Sequence, residues 1–203
     1  MIEINKFPVI ILSSPRTGST VLAEILSKKF PELELFSEPD SYTKKLGDRD
    51  SMDNFTNYSN ISNQYILKCH LKYFIKYPTN IIKKVINHDA FFIRIKRRNV
   101  LDQMVSMYIE LIRKQWCYNA DIAESYKDKI VPIESDIITK AVRQINEFNN
   151  PLKGLNINYD LEIYYEDLIK DINEVYKTNS NITPKPTNHT EIYQLIQKEL
   201  EKG

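Results

Sequence analysis

Hydrophobic and polar positions follow two periods along this chain, and their order predicts strands alternating with helices. Pro8 to Ser13 (PVIILS) is a short continuous apolar run, which suits a strand buried on both faces, as in a parallel sheet. A turn-rich segment, Ser14-Pro15-Arg16-Thr17-Gly18, comes next, and Val21, Leu22, Ile25 and Leu26 then recur at helical spacing until Pro31 stops the pattern. Leu33 to Phe36 reads as a second short strand. Ser41 to Asn63 is polar and rich in Asp, Asn and Ser, which predicts a long loop or lid. Tyr65 to His70 (YILKCH) resumes strand character, Pro78 to Asn87 reads as a helix with proline in its first turn, and Ala90 to Arg97 (AFFIRIKR) as a strand.

The second half of the chain is mostly helical in pattern. Val100, Leu101, Met104, Val105, Tyr108, Leu111 and Ile112 share one stripe, with Asn99 as N-cap and Asp102 three residues on, in a helix reaching about Trp116. Cys117 to Glu134 is irregular, and Ile137, Ile138, Ala141, Val142, Ile145 and Phe148 then keep helical spacing up to Asn149-Asn150-Pro151. A strand over Asp160 to Tyr165 and a helix over Glu166 to Tyr176 follow. A tail rich in proline and threonine, Thr178 to His189, precedes a final helix, Glu191 to Glu201. This alternation predicts an α/β fold, a parallel β-sheet flanked by helices. With neither an internal repeat nor a linker in the pattern, residues 1–203 read as a single domain.

Composition narrows the function more than the fold. At 42% hydrophobic and 27% charged residues, the chain is neither disordered, collagen-like nor a coiled-coil rod. Its 28 basic and 27 acidic residues leave a net charge of +1, so no global field draws it to nucleic acid or an anionic membrane, and any anion site has to be local. Cys69 and Cys117 are too few for a disulfide scaffold and lack zinc-site spacing, which points to a reduced, cytoplasmic protein, although a bridge between the two stays open. The aliphatic run Val9 to Leu12 is too short for a signal-peptide core or a membrane span.

The first loop carries the clearest chemistry. A buried strand that feeds a helix through small residues presents backbone N–H groups and a positive helix end to an anion. Ser13 to Thr20 (SSPRTGST) fits the nucleotide-binding pattern G-x-x-x-x-G-K-[ST] at Gly18 and Thr20, but Ser13 stands where the first glycine belongs and Ser19 where the lysine belongs. That argues against an ordinary ATP or GTP site. Arg16 nevertheless supplies a cation within the same loop, suited to a bound phosphate.

Pro15-Arg16-Thr17-Gly18-Ser19-Thr20 resembles the 5′-phosphosulfate loop of sulfotransferases that use 3′-phosphoadenosine 5′-phosphosulfate (PAPS). Arg98 to Ser106 (RNVLDQMVS) resembles that family's 3′-phosphate motif, an arginine at a strand end and a serine eight residues on, with Val100 in place of the proline often found there. An arginine fork grips a phosphate dianion and a hydroxyl completes its coordination. Ile163 to Leu168 (IYYEDL) is similar to the family's Y-E-D-L, whose tyrosine, here Tyr165, lies near the adenine. Lys68-Cys69-His70 resembles its K-x-H, which supplies an electrophilic lysine and a base. The resemblance runs from Pro8 to Tyr176. It implies a P-loop-like, three-layer sulfotransferase architecture and transfer of a sulfuryl group from PAPS to a hydroxyl or amine acceptor, releasing 3′,5′-ADP, with no metal.

In-line attack on sulfur needs a nucleophile deprotonated as it attacks and cations where charge grows on the leaving oxygens. On that logic His70 is the general base, since imidazole takes up a proton near neutral pH, while Lys68 and Arg16 stabilise the transferring group. Glu38, in Phe36-Ser37-Glu38-Pro39, is a rival base, because this acidic E-P looks like that of carbohydrate-modifying members. His70 goes with a phenol- or alcohol-like small molecule, Glu38 with a glycan, and the residues leave both acceptors open. The basic Gly-rich C-terminal segment of many cytosolic members is absent, so Lys185 or Asn188-His189 are candidates to replace it. The acceptor pocket falls to Ser41–Asn63 and Cys117–Glu134. Two rival readings stand beside this one: a P-loop kinase or nucleotidase using ATP, opposed by the missing lysine, and a nucleotide-binding module without catalysis.

Overall fold

The computed structural model describes residues 3–39, 52–77, 79–87, 89–113, 130–150, 157–176 and 186–202. They fall into two compact units, one drawn from residues 1–96 and 151–168, the other from 97–150 and 169–203. The chain changes unit three times, so no single linker exists for composition to mark.

The first unit holds a parallel five-stranded sheet with helices packed on it. Its strands are β1 (Val9–Ser13), β2 (Glu34–Ser37), β3 (Tyr65–His70), β4 (Phe91–Lys96) and β5 (Leu161–Tyr164), in the order β2-β3-β1-β4-β5. The apolar run Val9 to Leu12 is fully buried because β1 lies in the middle of the sheet, between β3 and β4. Along it Ile10 and Leu12 join Leu67, Cys69 and Phe92 in one core cluster. Phe55 of α2 (Met52–Ile61), Phe74 of α3 (Leu71–Phe74) and Val85 of α4 (Thr79–Asn87) close that cluster. Val9 and Ile11 point to the opposite face. Helix α1 (Ser19–Lys29) packs against β1, β2 and β3 and buries Leu22, Ala23 and Leu26.

Two elements depart from the sequence pattern. The polar stretch read as a loop or lid is helical over Met52–Ile61. Phe55 is fully buried there and Tyr58 packs beside it, with the Phe55 ring 5.3 Å from Phe36 and 5.5 Å from Tyr65, centroid to centroid. Two aromatics three residues apart make a narrow apolar stripe, which the surrounding Asp, Asn and Ser outweigh in any count of composition. Residues 41–51 of that stretch lie outside the described residues. The second departure is α3, a single helical turn that follows His70 directly.

The second unit contains α5 (Val100–Arg113), α6 (Ser135–Asn149) and α8 (His189–Leu200), packed around Met104, Val105, Tyr108, Ile138, Ala141, Ile145, Ile192 and Ile196. Asn99 caps α5 as its spacing predicts, its Oδ1 accepting from the Asp102 N–H at 3.1 Å. Residues 130–134 are tied to this unit twice. The Tyr108 hydroxyl donates to Pro132 O and accepts from the Glu134 N–H, and the Asn188 amide pairs with both backbone groups of Val131. The expected extension of α5 to Trp116, like Cys117 and most of the irregular stretch after it, lies outside the described residues. Helix α7 (Tyr165–Tyr176) starts in the first unit, immediately after β5.

Candidate functional site

The turn from β1 into α1 is built from buried small side chains: Ser13, Ser14, Thr17 and Ser19 are all under a tenth exposed. Two residues out of three adopt left-handed backbone, Arg16 at φ +64° and Gly18 at φ +79°. For arginine this conformation costs about 1–3 kcal/mol, so the surrounding bonds must impose it. Thr17 Oγ1 donates to Ser14 O at 2.8 Å inside the loop, and Gly18 O accepts from the Leu22 N–H at 3.1 Å as α1 begins. The first N–H groups of α1 have no partner within the helix, which makes this end suited to an anion. Gly18 is required twice over. Its φ disfavours a side chain, and a Cβ there would sit 2.5 Å from Cδ2 and 2.9 Å from Cε2 of Tyr165. Tyr165, expected near an adenine, therefore packs its ring on the loop glycine.

Four side chains meet at the carboxyl ends of β1, β2 and β3. Parallel register sets Ser13 beside His70 and Ser37 beside Lys68, and the two-residue spacing of Lys68 and His70 sends both to one face. Glu38, the residue after β2, donates its N–H to Lys68 O at 2.7 Å and turns at φ +51°. Its Oε1 accepts from the Lys68 ammonium and lies 3.1 Å from His70 Nε2. His70 Nδ1 is in turn 3.2 Å from Ser13 Oγ. The lysine and the two rival bases of the sequence analysis thus converge on a single carboxylate oxygen. Ser13 enters the sequence reading as the end of the first strand and as the residue replacing a glycine, and its link to His70 depends on strand register, which no local motif reveals.

Burial acts to raise the Glu38 carboxyl, but the hydrogen bond and charge of His70, together with the charge and hydrogen bond of Lys68, outweigh it. The carboxyl is held well below the ordinary carboxylate range, so Glu38 is ionised at neutral pH and only accepts hydrogen bonds.

Arg98 and Ser106 belong to the second unit. Arg98 is exposed just before α5, and Ser106 is half-buried within that helix. Lys185 lies outside the described residues. Asn188 is committed to Val131, and the His189 ring lies 6.4 Å from that of Tyr193. Among the described residues, no group of three or more His, Cys, Asp or Glu is arranged to hold a metal ion, and no helix is long and apolar enough to cross a membrane.

The close packing of Gly18 on Tyr165 predicts that Gly18→Ala lowers the unfolding free energy by about 1–3 kcal/mol in denaturant titration. The cost should be smaller in a Tyr165→Ala background, and equal costs in both would remove the ring contact as a cause. The Glu38 network predicts an acid-sensitive stability. A folded-state carboxyl below the unfolded value of 4.5 contributes stability that is present above that pH and lost as pH falls through the folded value. The stability gap between the native chain and Glu38→Gln should therefore narrow as pH drops below 4.5, and a gap independent of pH would contradict the network.

No family model and no curated protein matches the chain. Among solved structures, mouse sulfotransferase SULT7A1 complexed with PAP is similar at 20% identity and a TM-score of 0.43, over 98% of this chain and 65% of that one. A fungal RNA kinase is similar at 14% identity and a TM-score of 0.44, over 98% of this chain and 100% of that one. This chain thus spans a little under two thirds of the sulfotransferase's length, and neither likeness bears on which reaction it performs.

Proposed function

We propose that this protein is a sulfotransferase that moves a sulfuryl group from PAPS to a hydroxyl or amine acceptor and releases 3′,5′-ADP. The observation that carries the reading is the Ser13–His70–Glu38–Lys68 cluster, set at the carboxyl ends of three parallel strands and joined through Ser13 to the anion-suited loop Ser14–Ser19. Open α/β sheets bind ligands at that edge. The loop fits the donor's phosphosulfate chemically, with an arginine, buried hydroxyl groups and a helix N-terminus in one segment. PAPS supplies an activated sulfuryl group, and the chain has to hold its anions and take one proton from the acceptor.

In this reading Pro15 to Thr20 hold the phosphosulfate, and Arg16 and Lys68 meet charge on the transferring group and leaving phosphate. Arg98 and Ser106 take the 3′-phosphate, and Tyr165 stands at the loop. The acceptor oxygen bonds to sulfur as the bond from sulfur to the bridging oxygen breaks, and the acceptor's proton passes to the Glu38–His70 pair. Of the two, His70 is assigned as the base, because Glu38, held as an anion well below the carboxylate range by its two partners, is a poor proton acceptor and instead receives the hydrogen bond from Nε2 and orients the ring. Lys68, paired with the same carboxylate oxygen, meets charge on the sulfuryl oxygens. A small molecule or a glycan fits the acceptor role.

Release of 3′,5′-ADP from PAPS, followed over a panel of hydroxyl and amine acceptors, tests the reading. Glu38→Gln and His70→Ala should each lower turnover by about 10²–10⁴ while leaving 3′,5′-ADP affinity unchanged. Arg98→Ala should weaken 3′,5′-ADP by about 1.5–3 kcal/mol in calorimetry. Unaltered affinity in Arg98→Ala would remove the 3′-phosphate assignment, and magnesium-dependent ATP turnover by the native chain would establish the kinase reading instead.

A further inference from the structure

Glu38 and Lys68 have stated tasks in the cluster, whereas the Ser13 hydroxyl has none. Ser13 is buried at the end of β1, beside His70 in the sheet register, with Oγ 3.2 Å from Nδ1. The opposite ring nitrogen, Nε2, lies 3.1 Å from Glu38 Oε1. A carboxylate offers no hydrogen, so the hydrogen in that contact belongs to Nε2. In the neutral imidazole the lone pair then falls on Nδ1, where the Ser13 O–H is the donor that meets it. In the imidazolium both nitrogens donate, and the same hydroxyl turns a lone pair toward Nδ1–H. A hydroxyl serves both states because it carries one donor and two acceptor positions on a freely turning oxygen.

We propose that His70 gains and loses its exchangeable proton at Nδ1, and that Ser13 is the positioning residue that keeps this nitrogen hydrogen-bonded in both protonation states. Nε2 stays committed to Glu38. The exchange balances with solvent water as the proton source: hydronium gives up one O–H bond as Nδ1–H forms, and the Ser13 hydroxyl keeps its own hydrogen while its contact turns from Oγ–H donating to Nδ1 into Nδ1–H donating to Oγ. Among the described residues, the charged and titratable groups facing the ring include Glu38 after β2, Lys68 of β3 on the same carboxylate oxygen, and Tyr73 of α3, its ring centroid 6.1 Å from the imidazole's. The inference takes its catalytic meaning from the sulfotransferase reading, but its geometry stands apart from the donor's identity.

The chain has three histidines, His70, His88 and His189, so imidazole nitrogens can be resolved by long-range proton–nitrogen correlation on uniformly labelled protein. Spectra of His88→Asn and His189→Asn assign the His70 signals. In the native chain Nε2 should keep the shift of a protonated nitrogen throughout a pH titration, while Nδ1 moves from bare to protonated. Glu38→Gln should lower the preference for the Nε2–H form roughly 10-fold or more, since the lost hydrogen bond is to a charged group. Ser13→Thr should retain the native pattern, and Ser13→Ala should split the His70 signals between two ring orientations. A titrating Nε2 in the native chain, or a Ser13→Ala spectrum identical to the native one, would overturn the proposal. Should Ser13→Ala fail to fold, the native chain and Glu38→Gln decide alone. Failure to bind 3′,5′-ADP would remove the sulfotransferase reading and leave these spectra as predicted, so the two failures are separable.

Discussion

The candidate site depends on one carboxylate oxygen, Glu38 Oε1, which takes both the Lys68 ammonium and the Nε2 side of His70. Charges so little exposed are costly unless they are paired, and here one anion answers two cationic or donor groups. Such an arrangement adds little net stability, because desolvation offsets most of the attraction. Its value lies in placement. A lysine and a histidine two residues apart on a buried strand are held at fixed distances from a carboxylate that arrives from the neighbouring strand.

That placement follows from the sheet. Parallel pairing of β2 with β3 sets Ser37 beside Lys68, and the bond from the Glu38 N–H to Lys68 O extends the pairing by one step. Left-handed backbone at Glu38 then turns its side chain back over the strand end. The same sheet edge carries the β1–α1 loop, where Arg16 and Gly18 adopt left-handed backbone and Tyr165 closes on Gly18. Strained backbone of this kind collects where a chain holds a particular constellation.

Much of this was legible in the residues, and the exceptions share a cause. The run Pro8 to Ser13 marks a strand buried on both faces, and Asn99 with Asp102 marks a capped helix, because both signals are local. Lys68, His70 and Glu38 were each visible as candidates. Glu38 and His70 looked like rivals, however, because only the register of β2 on β3 shows that they share a hydrogen bond. Ser13 with His70 and Gly18 with Tyr165 are contacts between segments far apart in the chain, which no spacing rule reaches. Helix α2 was hidden for a different reason. Its apolar contact with the core cluster comes from Phe55 and Tyr58, and polar neighbours outnumber them.

The proposed function requires the chain to distinguish a nucleotide carrying a 3′-phosphate from one without it. Thermal unfolding of the purified protein with 3′,5′-ADP, with ADP, and with ATP plus magnesium tests it most directly. A ligand at 100 times its Kd adds about 2.7 kcal/mol of stability, which is readily seen as a rise in Tm. The account predicts a rise with 3′,5′-ADP that ADP does not reproduce at the same concentration. Stabilisation by ATP plus magnesium alone, or equal stabilisation by ADP and 3′,5′-ADP, would contradict it.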